Sequence, residues 1–259
     1  MKDAERIVEV EDLVKYYGTQ GSITKALQGI SMTIHKGEFV GVMGPSGSGK
    51  TTLLNVVSTI DTPTSGRVCV SGQDLTNLKR RDLARFRRER LGFIFQDFNL
   101  LDTLTVRENI SLALSIAGAP SRTIDQTVDE MARRLGITDV LDRFPYHVSG
   151  GQQQRAAAAR AIITDPDLIL ADEPTGSLDS RSAQMLLEAI DDLNQELGAT
   201  IMLVTHDPFA ASYCQRILFI KDGRLFTELV RGDATRKQFF DQIMAVLALM
   251  GGEVAAHVR

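Results

Sequence analysis

Apolar positions alternate in two stretches near the start of the 259-residue chain and then close up into short unbroken runs. Residues 7–14 and 29–34 carry the period-two pattern of strands with one face buried, with Tyr16-Tyr17-Gly18 in the connection between them. The runs at 38–43, 67–70, 168–171, 200–204 and 216–220 read as short strands, and 91–96 as a strand of the buried type. Helical spacing marks 51–57, a strongly basic segment at 78–90, and an amphipathic segment at 235–249. From about 105 to 163 the pattern is helical with little β signal, which predicts a helical subdomain inserted into one domain spanning 1–259. Asp61–Gly66 reads as a turn and Asp222-Gly223 as a tight hairpin turn. Strands alternating with helices predict an α/β fold on a mostly parallel sheet.

The loop between the strand at 38–43 and the helix at 51–57 reads Gly44-Pro45-Ser46-Gly47-Ser48-Gly49-Lys50-Thr51. It matches G-x-x-x-x-G-K-[ST], the phosphate loop, in the strand–loop–helix setting that motif needs. Glycines let backbone N–H groups turn inward around a polyphosphate at the positive end of a helix dipole. Lys50 then reaches the β- and γ-phosphates and the Thr51 hydroxyl can ligate Mg²⁺. The strand at 168–171 ends in Asp172-Glu173. Beside a phosphate loop, the first carboxylate is placed to hold Mg²⁺ and the second to polarise an attacking water.

A third feature, Val148-Ser149-Gly150-Gly151-Gln152-Gln153-Gln154-Arg155, puts an N-cap serine and two glycines at the start of an Ala- and Arg-rich helix. Exposed backbone N–H groups there form a second anion site. One ATP does not need two such sites on one chain, so this one is read as meeting the γ-phosphate held by another copy. The basic run of Lys79, Arg80, Arg81, Arg85, Arg87, Arg88 and Arg90 reads as a solvated helix face, with attraction to anionic lipid or to nucleotide as the alternative.

Composition narrows the class. The chain is 43% hydrophobic and 24% charged with a net charge of -4, which supports a full core and argues against a nucleic-acid partner. Cys69 and Cys214 are far apart, lack metal-ligand spacing, and read as free thiols. Met1–Arg6 opens no secretory signal, and the apolar run at 243–250 is too short to span a bilayer. A soluble protein is expected, with any membrane role coming through a partner.

With these residues in view, the chain resembles an ATP-binding cassette (ABC) transporter ATPase over essentially its whole length. GPSGSGKT is similar to Walker A, LILADE to Walker B and VSGGQ to the signature motif. Gln96 falls at the Q-loop glutamine, Asp179 in Ser177-Leu178-Asp179 at the D-loop, and His206 at the switch histidine. Val148 stands where the family usually has Leu, and Leu178 where it often has Ala. The resemblance implies a RecA-like, mostly parallel sheet core, an antiparallel β subdomain and an inserted helical subdomain. It implies ATP and Mg²⁺ as cofactors, held by Gly44, Ser46, Gly47, Ser48, Gly49, Lys50, Thr51, Thr52 and Gln96, with Tyr17 stacking on adenine and Tyr16 the nearest rival for that role. Thr51, Gln96 and Asp172 would ligate the metal, and Glu173, His206 and Lys50 would be catalytic. Ser149, Gly150, Gly151, Gln152 and Asp179 would reach ATP across a nucleotide-dependent homodimer.

Within the family, FIFQDFNLLDTLTVRENI, THDPFAASYCQRILFIKDG and KQFFDQIMAVLALMGG are similar to antimicrobial-peptide resistance ATPases of the bacitracin-export type. That likeness implies a homodimer under one large permease at the cytoplasmic face of the cell membrane, and a sensor histidine kinase reached through the permease. Lipoprotein-release and macrolide-export complexes are the alternative, and an ATPase of soluble machinery a more distant one. Phe98–Leu104, with four large apolar side chains in a loop after Gln96, is expected to form a socket for a permease helix, the alternative being that they fold back into the core of the helical subdomain.

Overall fold

The computed structural model describes residues 5–18 and 22–256, with side chains up to Gly251. Four of the residues read for a secretory signal, 1–4, lie outside this range. The chain divides into two compact units, Met1–Asn77 with Met202–Arg259, and Leu78–Ile201.

In the first unit, strands β1 (Arg6–Tyr17), β2 (Thr24–His35), β4 (Ser65–Val70) and β5 (Gln73–Asp74) form an antiparallel sheet in the order β2-β1-β4-β5. Strand β1 buries Val8 and Val10, then Leu13, a spacing that breaks strict alternation. A register shift between Val10 and Leu13, with Asp12 at φ 45°, absorbs the extra residue. The bulge keeps all three apolar side chains on the core face. The tyrosine pair expected in a connection belongs to this strand instead: Tyr16 pairs with Lys25 and Tyr17 with Thr24.

The same unit carries β3 (Phe39–Met43), α1 (Lys50–Val57), β8 (Ile201–Val204), α7 (Pro208–Ala211), β9 (Arg216–Lys221), β10 (Arg224–Val230) and α8 (Arg236–Ala256). Strand order is β10-β9-β3-β8, with β9 parallel to β3 and antiparallel to β10. Every residue of β3 and β8 is buried, which accounts for their continuous apolar runs. Strand β10 follows the Asp222-Gly223 turn, where both residues have positive φ, 49° and 74°. That pair of angles is what a type I′ hairpin turn demands.

The second unit runs α2 (Arg80–Arg90), β6 (Leu91–Ile94), α3 (Val106–Ala117), α4 (Ser121–Arg134), α5 (Gly150–Ile162), β7 (Leu168–Asp172) and α6 (Ser180–Leu197). Strands β6 and β7 are parallel. Residues 106–162 contain only helices and short 3₁₀ turns. Thr105 and Ser149 start α3 and α5 with reciprocal capping boxes, to Glu108 and Gln152 respectively.

Candidate functional site

The first unit carries the phosphate loop. β3 delivers the chain to Gly44 and α1 begins at Lys50. Glycine is required here by space as well as by torsion. A Cβ on Gly44 would lie 2.0 Å from the Ile220 carbonyl oxygen, and one on Gly49 would lie 2.5 Å from that of Ala26. Gly49 is the N-cap of α1 with φ 106° and supplies no side-chain cap to the first turn of that helix. Lys50 is buried, and its Nζ donates to the Gly44 carbonyl at 2.9 Å and the Pro45 carbonyl at 3.0 Å. Ser48 is buried too, and its Oγ has no hydrogen-bond partner among the described residues. An orphaned buried hydroxyl in the loop before α1 fits a phosphate oxygen. Ser46 and Thr51 are exposed and Thr52 is half-buried.

Tyr17 lies in the same unit and is 40% exposed. Its hydroxyl donates to Asp61 Oδ2 at 2.7 Å. Lys15 Nζ sits 4.8 Å from the ring centroid and donates to Asp61 Oδ1 at 2.6 Å and the Thr62 carbonyl at 2.8 Å. Burial pushes the Asp61 carboxyl up, but hydrogen bonds from Lys15 and Tyr17 outweigh it, and its pKa falls below the usual range. The Tyr17 phenol is raised by burial and by Asp61. Lys15 and Asp61 belong to no sequence motif. The Lys-x-Tyr spacing that puts Lys15 and Tyr17 on one face of a strand is the signal that could have found the first of them.

His206 is exposed in the short link from β8 to α7. Its neighbours hold that link: the Thr205 amide donates to the Val42 carbonyl at 3.2 Å, and the Asp207 amide to Thr205 Oγ1 at 3.0 Å. Asp207 in turn caps α7 through the Phe209 amide at 2.8 Å.

The second unit carries the other candidates. Asp172 is the last residue of β7. Glu173 follows with φ 45°, the left-handed region that costs a non-glycine residue about 1–3 kcal/mol and is found at functional sites. Gln96 is exposed two residues beyond β6. Its side chain lies against the loop after Glu173, since a Cβ on Gly176 would meet Gln96 Cδ at 3.1 Å. The structure therefore brings Gln96 and the Glu173 loop together.

At the start of α5, the Gln152 amide donates to Ser149 Oγ at 3.3 Å and the Ser149 amide to Gln152 Oε1 at 3.0 Å. Gly150 and Gly151 are the first residues of the helix, and a Cβ on Gly151 would stand 2.5 Å from Ser182 Oγ. Asp179 caps α6, accepting from the Arg181 and Ser182 amides at 3.0 and 2.9 Å and from Ser182 Oγ at 2.8 Å. Those bonds hold its pKa below the usual carboxylate range.

Phe98 is half-buried, with its ring 3.4 Å from the Cβ position of Gly150, while Leu101 is 47% exposed. Arg160 donates to the Asn99 carbonyl at 2.7 Å, and Asn109 Nδ2 to those of Leu101, Leu104 and Thr105. The loop is thus held in shape from beneath.

Gln154 has no part in the sequence motifs beyond its place after the signature residues. It is fully buried and its Nε2 donates to the carbonyls of Phe95 and Pro174, both at 2.7 Å. A glutamine leading into an alanine run that packs as core is the available signal, because a buried amide must find partners. Among the described residues no cluster of His, Cys, Asp and Glu forms a metal site by itself, and no helix is long and apolar enough to cross a membrane.

The sequence pattern of the ABC transporter family matches residues 27–176. Over 246 residues the chain is 52% identical to the bacitracin export ATP-binding protein BceA of Halalkalibacterium halodurans, covering 95% of this chain and 97% of that protein. It is 46% identical to the macrolide export ATP-binding/permease protein MacB of Campylobacter jejuni over 82% of this chain, but spans only 33% of that protein. Among solved structures, the dimeric post-hydrolysis state of the ATP-binding cassette MJ0796 bound to ADP and Pi superposes with a TM-score of 0.79. It has 36% identity and covers 86% of this chain and 98% of that one.

Proposed function

The chain belongs to the ABC transporter family, and from that membership we propose that it drives a permease that removes bacitracin- or lantibiotic-like peptides from their targets. It is an α/β ABC cassette, an ATP-hydrolysing subunit of a membrane transporter, with ATP and Mg²⁺ as cofactors. Cassettes of this family dimerise and work with membrane permeases.

The roles we assign follow the chemistry of each side chain. The phosphate loop from Gly44 to Thr52 wraps the triphosphate with backbone amides, and Lys50 supplies the charge for the β- and γ-phosphates. Thr51, Asp172 and Gln96 hold Mg²⁺, which neutralises the developing phosphate charge when bound. Glu173 accepts a hydrogen bond from the attacking water and polarises it, and His206 contacts the γ-phosphate. Tyr17 offers its ring to adenine. Ser149, Gly150, Gly151, Gln152 and Asp179 serve the γ-phosphate of a second copy, which makes closure of the dimer depend on ATP. The loop at 98–104 meets the permease through exposed Leu101. The subunit then sits at the cytoplasmic face of the membrane through that permease, and a sensor histidine kinase reads the same permease.

One observation carries the peptide reading over the macrolide one. The likeness to the bacitracin-export subunit runs the length of both proteins, whereas the macrolide-export proteins extend far beyond the match. The test is deletion in the host with complementation by wild type or Glu173→Gln. Bacitracin and lantibiotic tolerance should fall on deletion and return only with the wild type. Unchanged peptide tolerance alongside lost macrolide tolerance would move the protein to the macrolide-export class.

A further inference from the structure

Gln154 touches the backbone on both sides of the chemistry. It projects from α5, the helix that begins at Gly150, and reaches Phe95, the residue before Gln96, and Pro174, the residue after Glu173. Both contacts are 2.7 Å and both acceptors are carbonyls, so the group facing them is the amide nitrogen, with each of its hydrogens used once. The side chain is 0% exposed, so water does not compete for either bond.

We infer that Gln154 is a positioning residue for hydrolysis, a single carboxamide that fixes the Glu173 and Gln96 backbones to the helix carrying the signature residues. The inference rests on the reading of Glu173 as the group that polarises water. Glu173 sits at φ 45°, a conformation that persists only where the surroundings impose it. The bond to the Pro174 carbonyl restrains the Pro174–Thr175 peptide, one residue beyond Glu173. Without it the Glu173 backbone can relax toward negative φ, which swings the carboxylate. Gln96 rests against Gly176 in the same loop, so a shift of that loop reaches the Gln96 side chain as well. A displacement of about 1 Å is enough to cost on the order of 10²-fold in rate. Because the amide is anchored on α5, any shift of the signature end of that helix is passed to both loops through one rigid group.

The test uses the full chain with Gln154→Met, which keeps the volume and removes the donor. Gln154→Asn, which keeps a carboxamide too short for both carbonyls, serves if the first variant folds poorly. ATP affinity, melting temperature and single-turnover hydrolysis are measured, each also in a Glu173→Gln background. Hydrolysis should fall on the order of 10–10²-fold while ATP affinity stays within about twofold. In the Glu173→Gln background the same change should cause no further loss, because the carboxylate it positions is gone. A variant that melts earlier but hydrolyses ATP at the wild-type rate overturns the inference, since Gln154 would then be only structural. An equal loss in both backgrounds overturns it as well. Normal hydrolysis by Glu173→Gln alone would retire the reading of Glu173 itself, in an arm where Gln154 is untouched.

Discussion

Arg216→Met should be among the most damaging single changes in the first unit. Arg216 lies on β9, beside the strand that leads into the phosphate loop. Its Nε donates to Glu38 Oε1 at 2.6 Å and its Nη2 to Glu38 Oε2 at 2.9 Å and to the Thr33 carbonyl at 2.7 Å. Side-chain exposure is 12% for Arg216 and 16% for Glu38, so the pair is largely out of water. Removing the guanidinium leaves a buried carboxylate without its counter-ion, at a cost of about 3–5 kcal/mol. Against a total stability of about 5–15 kcal/mol that is a large fraction. Urea unfolding followed by circular dichroism reads it, and Glu38→Gln with Arg216→Met should recover much of the loss because no buried charge is then stranded, Glu228, the other partner of Arg216, being 41% exposed. The pH dependence has a definite sign. Burial raises the Glu38 carboxyl, but bonds from Arg216 and the His35 amide lower it further, so its folded pKa lies below the ordinary 4.5. The stability it contributes is present above the unfolded pKa and is lost as pH falls through the folded one. Wild type should therefore weaken below about pH 4.5 by more than the double variant does. A loss under about 1 kcal/mol for Arg216→Met, the range of a surface pair, would refute this reasoning.

Lys50→Ala should weaken ATP binding by about tenfold or more, the worth of a charge-assisted bond, as read by titration calorimetry; affinity near wild type would remove Lys50 from the site. Glu173→Gln should bind ATP normally, hydrolyse it on the order of 10²–10⁴-fold more slowly, and run as a dimer with Mg-ATP on gel filtration. Ser149→Arg should abolish turnover with ATP binding to the monomer retained, and also lose about 1 kcal/mol of stability with the α5 cap; mixing with Lys50→Ala chains should restore activity if the site is shared between copies. Tyr17→Ala should weaken ATP several-fold but leave inorganic tripolyphosphate unchanged, since stacking is worth about 1 kcal/mol and acts on the base alone; equal losses for both ligands would remove Tyr17 from the adenine site.

Features set by neighbours along the chain are legible in the sequence. The phosphate loop needs glycines within a few residues, the caps at Thr105, Ser149 and Asp179 satisfy their own helices, and strands buried on both faces show as apolar runs. Strand β10 is marked only by the hairpin turn before it, because none of its residues is buried and no apolar face announces it. The strand position of Tyr17 is hidden for a related reason: β1 extends past its apolar stretch by pairing with β2, and backbone pairing leaves no mark on side-chain pattern. Long-range contacts are beyond the reach of pattern altogether. Glu38 and Arg216 are 178 residues apart, Lys15 and Asp61 are 46 apart, and Gln154 is 59 residues from Phe95. Nothing in the identity of a glutamine or an aspartate says which distant group will satisfy it. The left-handed backbone at Glu173 is of the same kind, since no local preference favours it and only the packed surroundings hold it there. The chemistry of the site is thus written in short motifs, while the bonds that hold those motifs in register come from tertiary packing, where a buried polar group must take whatever partner the fold brings within reach.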